Sequence, residues 1–126
     1  MDNIIDVNMT NEKLNKVYIA NRGGHNYTPA ARFGILVPLT TGNINPLQVD
    51  RLTYDILEAT NESTEHDFLL ISGHQIINAL AACLLLRKHH ILNMLIFNKH
   101  TNDYMVRTLT EEQIAGIVVK DNEVGE

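Results

Sequence analysis

Cysteine is nearly absent: Cys83 is the only one in 126 residues. No disulfide can form within the chain, which fits a reducing cytosol. Long apolar runs are missing too, so no segment is expected to span a membrane, and no signal peptide opens the chain. The expected place is therefore a reducing cytosol. Positive charge is short, with ten Lys and Arg against fifteen Asp and Glu. The resulting formal net charge of −5 argues against a DNA- or RNA-binding face. Repeats, low-complexity segments and an internal linker are all lacking, so 1–126 reads as one domain.

Catalytic signatures are lacking in the same way. His25, His66, His74, His89, His90 and His100 form no helical His-x-x-x-His pair and no ligand set with cysteines. His89-His90 instead suits the end of a helix, where partial positive charge is favourable. Ser72 stands in Ile71-Ser72-Gly73-His74, which is not a nucleophile elbow. Gly23-Gly24 is not a dinucleotide fingerprint and reads as a turn needing positive φ. No P-loop lysine or pair of catalytic carboxylates can be placed by spacing. The expectation is a protein with no catalytic residue, no metal and no cofactor.

What is present centres on residues 67–98. Phe68-Leu69-Leu70-Ile71 reads as a strand, Ser72-Gly73 as a turn, Gln75 to Arg87 as a helix and Ile91 to Phe97 as a second strand. That order predicts a βαβ unit with parallel strands. A ligand would then sit by Ser72-Gly73-His74, outside a strand's carboxyl end. The helix is apolar on nearly every side, with Asn78 its one polar residue in the middle turns and Cys83 expected inside. That apolarity predicts a place at the centre of the fold or, in so short a chain, burial against a second subunit.

Around this unit, 1–15 reads as an arm, Lys16 to Ala20 as a strand, Asn21 to Phe33 as a loop and Gly34 to Thr40 as a strand. Asn45 and Pro46 read as the cap and first position of a helix whose apolar face is Val49, Leu52, Ile56 and Ala59. Tyr104 to Thr108 reads as a last strand, and Thr110-Glu111-Glu112-Gln113 as a capping box. Val118-Val119 reads as strand or tail, and about 120–126 as disordered. The fold class is α/β (mixed α+β): a small mixed sheet with two main helices in the order ββαβαββ, completed by an oligomer interface.

Recognition groups are plentiful where catalytic ones are not. Tyr27 and Phe33 offer flat faces for a base. Arg22, Arg32 and Arg107 offer bidentate contacts to phosphate. Asn21, Asn26, Asn78 and Asn93 offer paired donors and acceptors, and His25 and His74 further donors. Each also has a structural reading: Tyr27 can anchor its loop, Phe33 can be core, and Asn93 can satisfy backbone. The candidate ligand-binding set is Asn21, Arg22, Gly24, His25, Tyr27, Arg32, Asn78, Asn93, Arg107 and Thr108. The expected pocket lies between the 21–33 loop and the last strand.

Three stretches carry a resemblance. Val17 to Tyr27 (VYIANRGGHNY), Phe33 to Ile44 (FGILVPLTTGNI) and Ser72 through Asn93-Met94-Leu95-Ile96-Phe97 resemble the Thoeris anti-defence protein 1 family of bacteriophages. The similarity runs from about 17 to 110 with the elements in the same order. It implies a sponge that binds cyclic ADP-ribose isomers made by bacterial TIR-domain proteins, without cleaving them, in the host bacterial cytoplasm. It also implies a homodimer or hexamer, and in some members a second site for cyclic oligonucleotides. The residues alone leave two other readings open: a nucleotide-hydrolysing enzyme, and a structural oligomeric protein without a ligand.

Overall fold

The computed structural model describes residues 14–23 and 26–124, which build one five-stranded sheet with its helices. Strands β1 (Lys16–Asn21), β2 (Ile35–Thr40), β3 (Phe68–Leu70), β4 (Ile91–Asn98) and β5 (Asp103–Thr110) lie in the order β2-β1-β3-β4-β5. The first four run parallel, and β5 returns antiparallel beside β4. Helix α1 (Val49–Ala59) joins β2 to β3, α2 (Gln75–His89) joins β3 to β4, and α3 (Glu111–Val124) follows β5. The mixed sheet, the two main helices and the parallel β3-α2-β4 unit are as expected. A 3-10 helix, Thr28–Phe33, and the longer α3 are additional.

Side chains alternate across each strand, and the two sets fill two cores. Tyr18, Ala20, Leu39, Leu69 and Leu92 pack with Ile56 of α1 and Ile77, Ala81 and Leu85 of α2. On the other face Val17, Ile19, Leu70 and Leu95 pack with Tyr27 and Ala30, joined by Phe33, Leu36, Phe68 and Tyr104. The handedness of parallel crossovers accounts for this division. The chain steps one way from β1 to β2 and the opposite way from β2 to β3 and from β3 to β4, so right-handed connections fall on opposite faces. One face is therefore covered by two helices, and the middle of the other by the segment 27–33. Apolar surface stays open toward the β4–β5 end, where Phe97 and Val106 are exposed.

Several local expectations change. The Asn45 side chain does accept an N–H, but from Leu47 at 3.0 Å, closing a turn before the helix. Helix α1 begins only at Val49, after Gln48, and Val49 itself is exposed while Leu52 and Ile56 are buried. Cys83 is exposed, not interior. It lies two residues beyond buried Ala81, a turn of about 200° around the helix, which carries it to the outer side. At the C-terminal end the capping box forms as expected: Gln113 N–H donates to Thr110 Oγ1 at 3.1 Å, and Thr110 N–H to Gln113 Oε1 at 3.0 Å. The helix it starts continues through Val118-Val119 to Val124, so Val118-Val119 is helix and not a strand, and 125–126 of the expected tail lie outside the described residues. Of the expected arm, 1–13 lies outside the described residues.

The C-terminal turn of α2 ties the two helices together. Lys88 Nζ donates to the Thr60 and Asn61 carbonyls at 2.9 and 3.0 Å and to Ser63 Oγ at 3.1 Å. His89 Nε2 lies 2.8 Å from the same Ser63 oxygen. Burial, and next the Lys88 ammonium, hold the His89 imidazole below the ordinary histidine range, with Asp67 and Glu65 pulling the other way. The unfolded chain then takes up the proton at a higher pH than the folded one. Stability is fully present above the ordinary histidine range and is lost as pH falls through the depressed folded value. Chemical unfolding followed from slightly alkaline to mildly acidic pH should show this loss, and His89→Gln should flatten it. An unchanged slope in that variant would remove His89 as the cause.

Candidate functional site

Between β1 and β3 the chain leaves the sheet toward opposite faces: after β1 toward the 3-10 helix, after β3 toward α2. Such a switch point opens a crevice outside the strands' carboxyl ends, the usual ligand position in open α/β sheets. Here the crevice is a cleft of about 570 Å³ lined by Asn21, Gly23, Gly42, Asn43, Ile44, Pro46, Gly73, His74, Gln75, Ile76 and Ile77. That volume is within the range of small-molecule sites. None of these residues carries a carboxylate, although the chain as a whole is acidic. Three amide side chains stand against three isoleucines, an arrangement that offers donors and acceptors beside an apolar wall.

A smaller cavity of about 230 Å³ adjoins it at Gly73, lined also by Asn26, Tyr27, Leu70, Ile71, Ser72, Phe97 and Tyr104. Phe97 and Tyr104 meet edge to face, with ring centroids 5.3 Å apart. A further hollow of about 470 Å³ runs along α1 and shares Asn43 and Ile44, but Asp55 and Glu58 line it and Arg51 is already paired to Asp55 at 3.4 Å. An anion fits the carboxylate-free cleft better.

The cleft is held open by hydrogen bonds from its own rim. Asn21, at the end of β1, is buried, and its Nδ2 donates to Thr40 Oγ1 at 3.2 Å and to the Gly42 carbonyl at 3.1 Å. Its Oδ1 accepts from Gly23 N–H at 3.0 Å. One side chain thus joins β1, β2 and the turn at Gly42, whose φ of 70° suits glycine. Asn78, a candidate that lines neither cavity, is buried and donates from Nδ2 to the Ser72 carbonyl at 2.6 Å, fixing the β3–α2 turn from behind. Gly73 faces open space: a Cβ added there meets nothing within 4 Å.

The structure distributes the sequence-derived candidates over several places. Asn21 lines the cleft, and Arg22 follows it on the surface, its Nη2 lying 3.5 Å from the Leu36 carbonyl. Gly24 and His25 lie outside the described residues. Tyr27 borders the smaller cavity, but 93% of it is covered, because its ring belongs to the core on that face. Burial pushes its phenol up, with the Ser72 hydroxyl acting in the opposite direction.

Arg32 reaches β5, where Nη2 meets Asp103 Oδ2 at 2.6 Å and the Tyr104 carbonyl at 3.4 Å, while its guanidinium lies 4.1 Å over Phe33. The Tyr104 N–H, then the Arg32 guanidinium, hold the Asp103 carboxyl below its ordinary range. Arg107 donates from Nη1 to the Val106 carbonyl at 2.7 Å. Both arginines therefore cover carbonyls of β5, a strand at the sheet edge, where unpaired backbone groups invite wrong pairing.

Asn93 and Thr108 are at the other end of the sheet, since Asn93 pairs in register with Phe68 at the start of β3. Asn93 Nδ2 donates to the Glu65 and Asp67 carbonyls at 2.9 and 3.1 Å, and Thr108 Oγ1 donates to Asn93 Oδ1 at 3.0 Å. The loop and the last strand do meet through Arg32 and Asp103, but Asn93, Arg107 and Thr108 line neither switch-point cavity.

Asn43, Ile44, Gln75 and Ile76 on the larger cleft and Phe97 on the smaller were not among the candidates. Thr41-Gly42-Asn43 looks like any turn and Gln75-Ile76 like any helix start until the strand order brings them together.

No curated protein and no solved structure is found to match the chain. Among the described residues no helix is long and apolar enough to cross a membrane. A family model described as phage Pam3 gp32-like protein matches residues 7–110, from ahead of β1 to the end of β5, and the chain belongs to that phage protein family.

Proposed function

We propose that this phage protein binds and retains a nucleotide-type small molecule in the switch-point cleft, and that the molecule is a cyclic ADP-ribose isomer. The observation that carries the reading is the carboxylate-free cleft of about 570 Å³ outside the ends of β1 and β3. Amides of Asn43 and Gln75 suit ribose hydroxyls and base edges, and the isoleucine wall suits a base face. Membership in a phage family agrees with an accessory role during infection. On this reading the protein works in the host cytoplasm as an anti-defence sponge for signals of TIR-domain proteins. High affinity comes from a preorganised pocket, and no nucleophile is required.

Exposing the protein to the products of a TIR-domain protein, washing, and heat-denaturing the complex tests all three readings. Release of the unchanged molecule is expected. Recovery of a cleaved product would make the protein an enzyme, and recovery of nothing would leave a structural protein. A second measurement locates the site. Gly73→Leu should leave the apo melting temperature nearly unchanged, because Gly73 is exposed and a Cβ there meets nothing within 4 Å. It should also weaken binding of cyclic ADP-ribose by at least roughly 30-fold, about 2 kcal/mol, by occupying the cleft. Normal affinity in Gly73→Leu would move the site elsewhere.

A further inference from the structure

Strand β3 stops short of its neighbour, and the step it leaves is lined with rings. Leu70 ends β3 opposite Leu95, and one further bond runs from the Ile71 N–H to the Leu95 carbonyl at 3.0 Å. The chain then turns at Ser72-Gly73 into α2, while β4 continues to Asn98 and β5 pairs with it to the end. Phe97 and Tyr104 sit opposite each other on that overhang. Alternation puts both on the face of Leu95, over which the segment 27–33 packs. Phe97, Tyr104 and Tyr27 thereby line one cavity, the smaller of the two at the switch point, of about 230 Å³.

The chemistry of this cavity is narrower than that of the larger cleft. Its lining has no carboxylate and no ammonium, guanidinium or imidazole group. Burial first, and then Tyr27, push the Tyr104 phenol up, so it remains a neutral donor. No hydrogen bond engages the Tyr104 hydroxyl or the Asn26 Nδ2 among the described residues, whereas Asn26 Oδ1 accepts the Thr28 N–H at 3.0 Å. The accessible ring is Phe97, 42% exposed, since Tyr27 is buried in the core. An apolar cavity of about 150 Å³ is enough for benzene, so this one has room for a two-ring base. The isoleucines of the cleft offer a base contact only, and Phe97 offers a π face as well. Gly73 borders both spaces, and a Cβ there meets nothing within 4 Å, so no side chain stands between them at that point.

We propose that the smaller cavity is a subsite for a neutral purine base, stacked on Phe97 with Tyr104 and Asn26 as donors to its ring nitrogens. This rests on the ligand-binding reading above and divides the ligand between the two spaces. The ribose and pyrophosphate cross Gly73 into the larger cleft, where Asn43 and Gln75 meet the hydroxyls. The isoleucine wall then lies against the sugar rings. A preference among bases follows, because a pyrimidine presents less ring to Phe97 and stacks more weakly.

Titration of the full chain with adenosine, followed by NMR, tests the subsite without the rest of the ligand. Ring signals of Phe97 and Tyr104 should shift, and the adenine protons should show cross-relaxation to Phe97. Phe97→Leu keeps apolar volume and removes the π face, so its apo melting temperature should stay close to that of the wild type. Its affinity for adenosine and for cyclic ADP-ribose should fall by the same factor, roughly 10-fold, and Phe97→Tyr should restore both. Adenosine shifts confined to Ile44 and Ile76, no shift at any residue, cytidine bound as tightly as adenosine, or unchanged affinity in Phe97→Leu would overturn the subsite. Cyclic ADP-ribose tells the two proposals apart. If the wild type does not bind it while adenosine still shifts Phe97, the identity of the ligand falls and the base site stands. If the wild type and Phe97→Leu bind it equally, the ligand stands and the base site falls.

Discussion

Gly34→Ala is expected to be the most damaging added methyl among the described glycines, costing about 3 kcal/mol, the upper range for overpacking. Gly34 precedes β2 and lies against the residue before β1. A Cβ at this position would sit 2.2 Å from the Asn15 carbonyl oxygen and 2.7 Å from its carbon. Both are main-chain atoms, which cannot swing aside as the end of a side chain can. The same oxygen accepts the Ile35 N–H at 2.8 Å, the bond that opens the β1–β2 pairing. Conformational preference is not the cause, because a φ of 163° is extended backbone open to any residue. Space is the cause. For a domain of this size the melting temperature should fall by roughly 10 °C. Gly73→Ala is the matched control, since a methyl there meets nothing. Two variants that melt together would show that the β1–β2 entrance yields more easily than its geometry implies.

The parts of this fold that were legible in sequence are those set by local interactions. The β3-α2-β4 unit follows from apolar runs split by Ser72-Gly73 and His89-His90, and the structure ends α2 where His90 takes a left-handed φ of 64°. The Thr110–Gln113 capping box was readable because both partners lie within one turn. The Asn45 cap failed for an equally local reason: a side chain that can reach two N–H groups closed the nearer turn. Strand order was not legible. A parallel sheet is assembled from crossovers, and nothing within β1 records that β2 lies on one side of it and β3 on the other. The position of the segment 27–33 over a sheet face follows from that order alone.

The site was legible only in part, because chemical type does not distinguish recognition from structural upkeep. Asn21 was selected as a donor and acceptor, and its Nδ2 and Oδ1 are both engaged in holding the cleft rim. Asn93 was selected for the same chemistry and Arg32 and Arg107 for bidentate contacts to phosphate, and the structure employs them on backbone carbonyls at the opposite end of the sheet and the edge strand. Backbone acceptors outside regular pairing need donors, and these side chains supply them. The cleft itself is formed by residues with no distinctive chemistry, such as Gly73 and Ile76, brought together by topology.

Tyr27→Ala is expected to destabilise the apo protein by about 3–4 kcal/mol, whether or not a ligand is present, as for other large aromatic deletions in cores. The ring is 7% exposed and packs with Val17, Ile19, Ala30, Leu70 and Leu95. Its hydroxyl donates to the Asn21 carbonyl at 3.4 Å, and its own carbonyl accepts the Ala30 N–H at 2.9 Å, starting the 3-10 helix. Removing the ring would empty the centre of that core and release the segment that covers β1 and β3. Tyr27→Phe keeps the packing and loses the hydroxyl's contacts with the Asn21 carbonyl and the Ser72 hydroxyl, so a cost of about 1–2 kcal/mol, well below that of Tyr27→Ala, is expected. The competing role, a face for a nucleotide base, draws on the fact that Tyr27 also borders the smaller cavity. The two roles separate in the apo protein. An anchoring ring predicts a melting temperature lowered by roughly 10 °C in Tyr27→Ala before any ligand is added. A stacking ring predicts an unchanged apo melt together with weaker affinity. That second pattern would take Tyr27 out of the core's account of the loop and place it in the binding site.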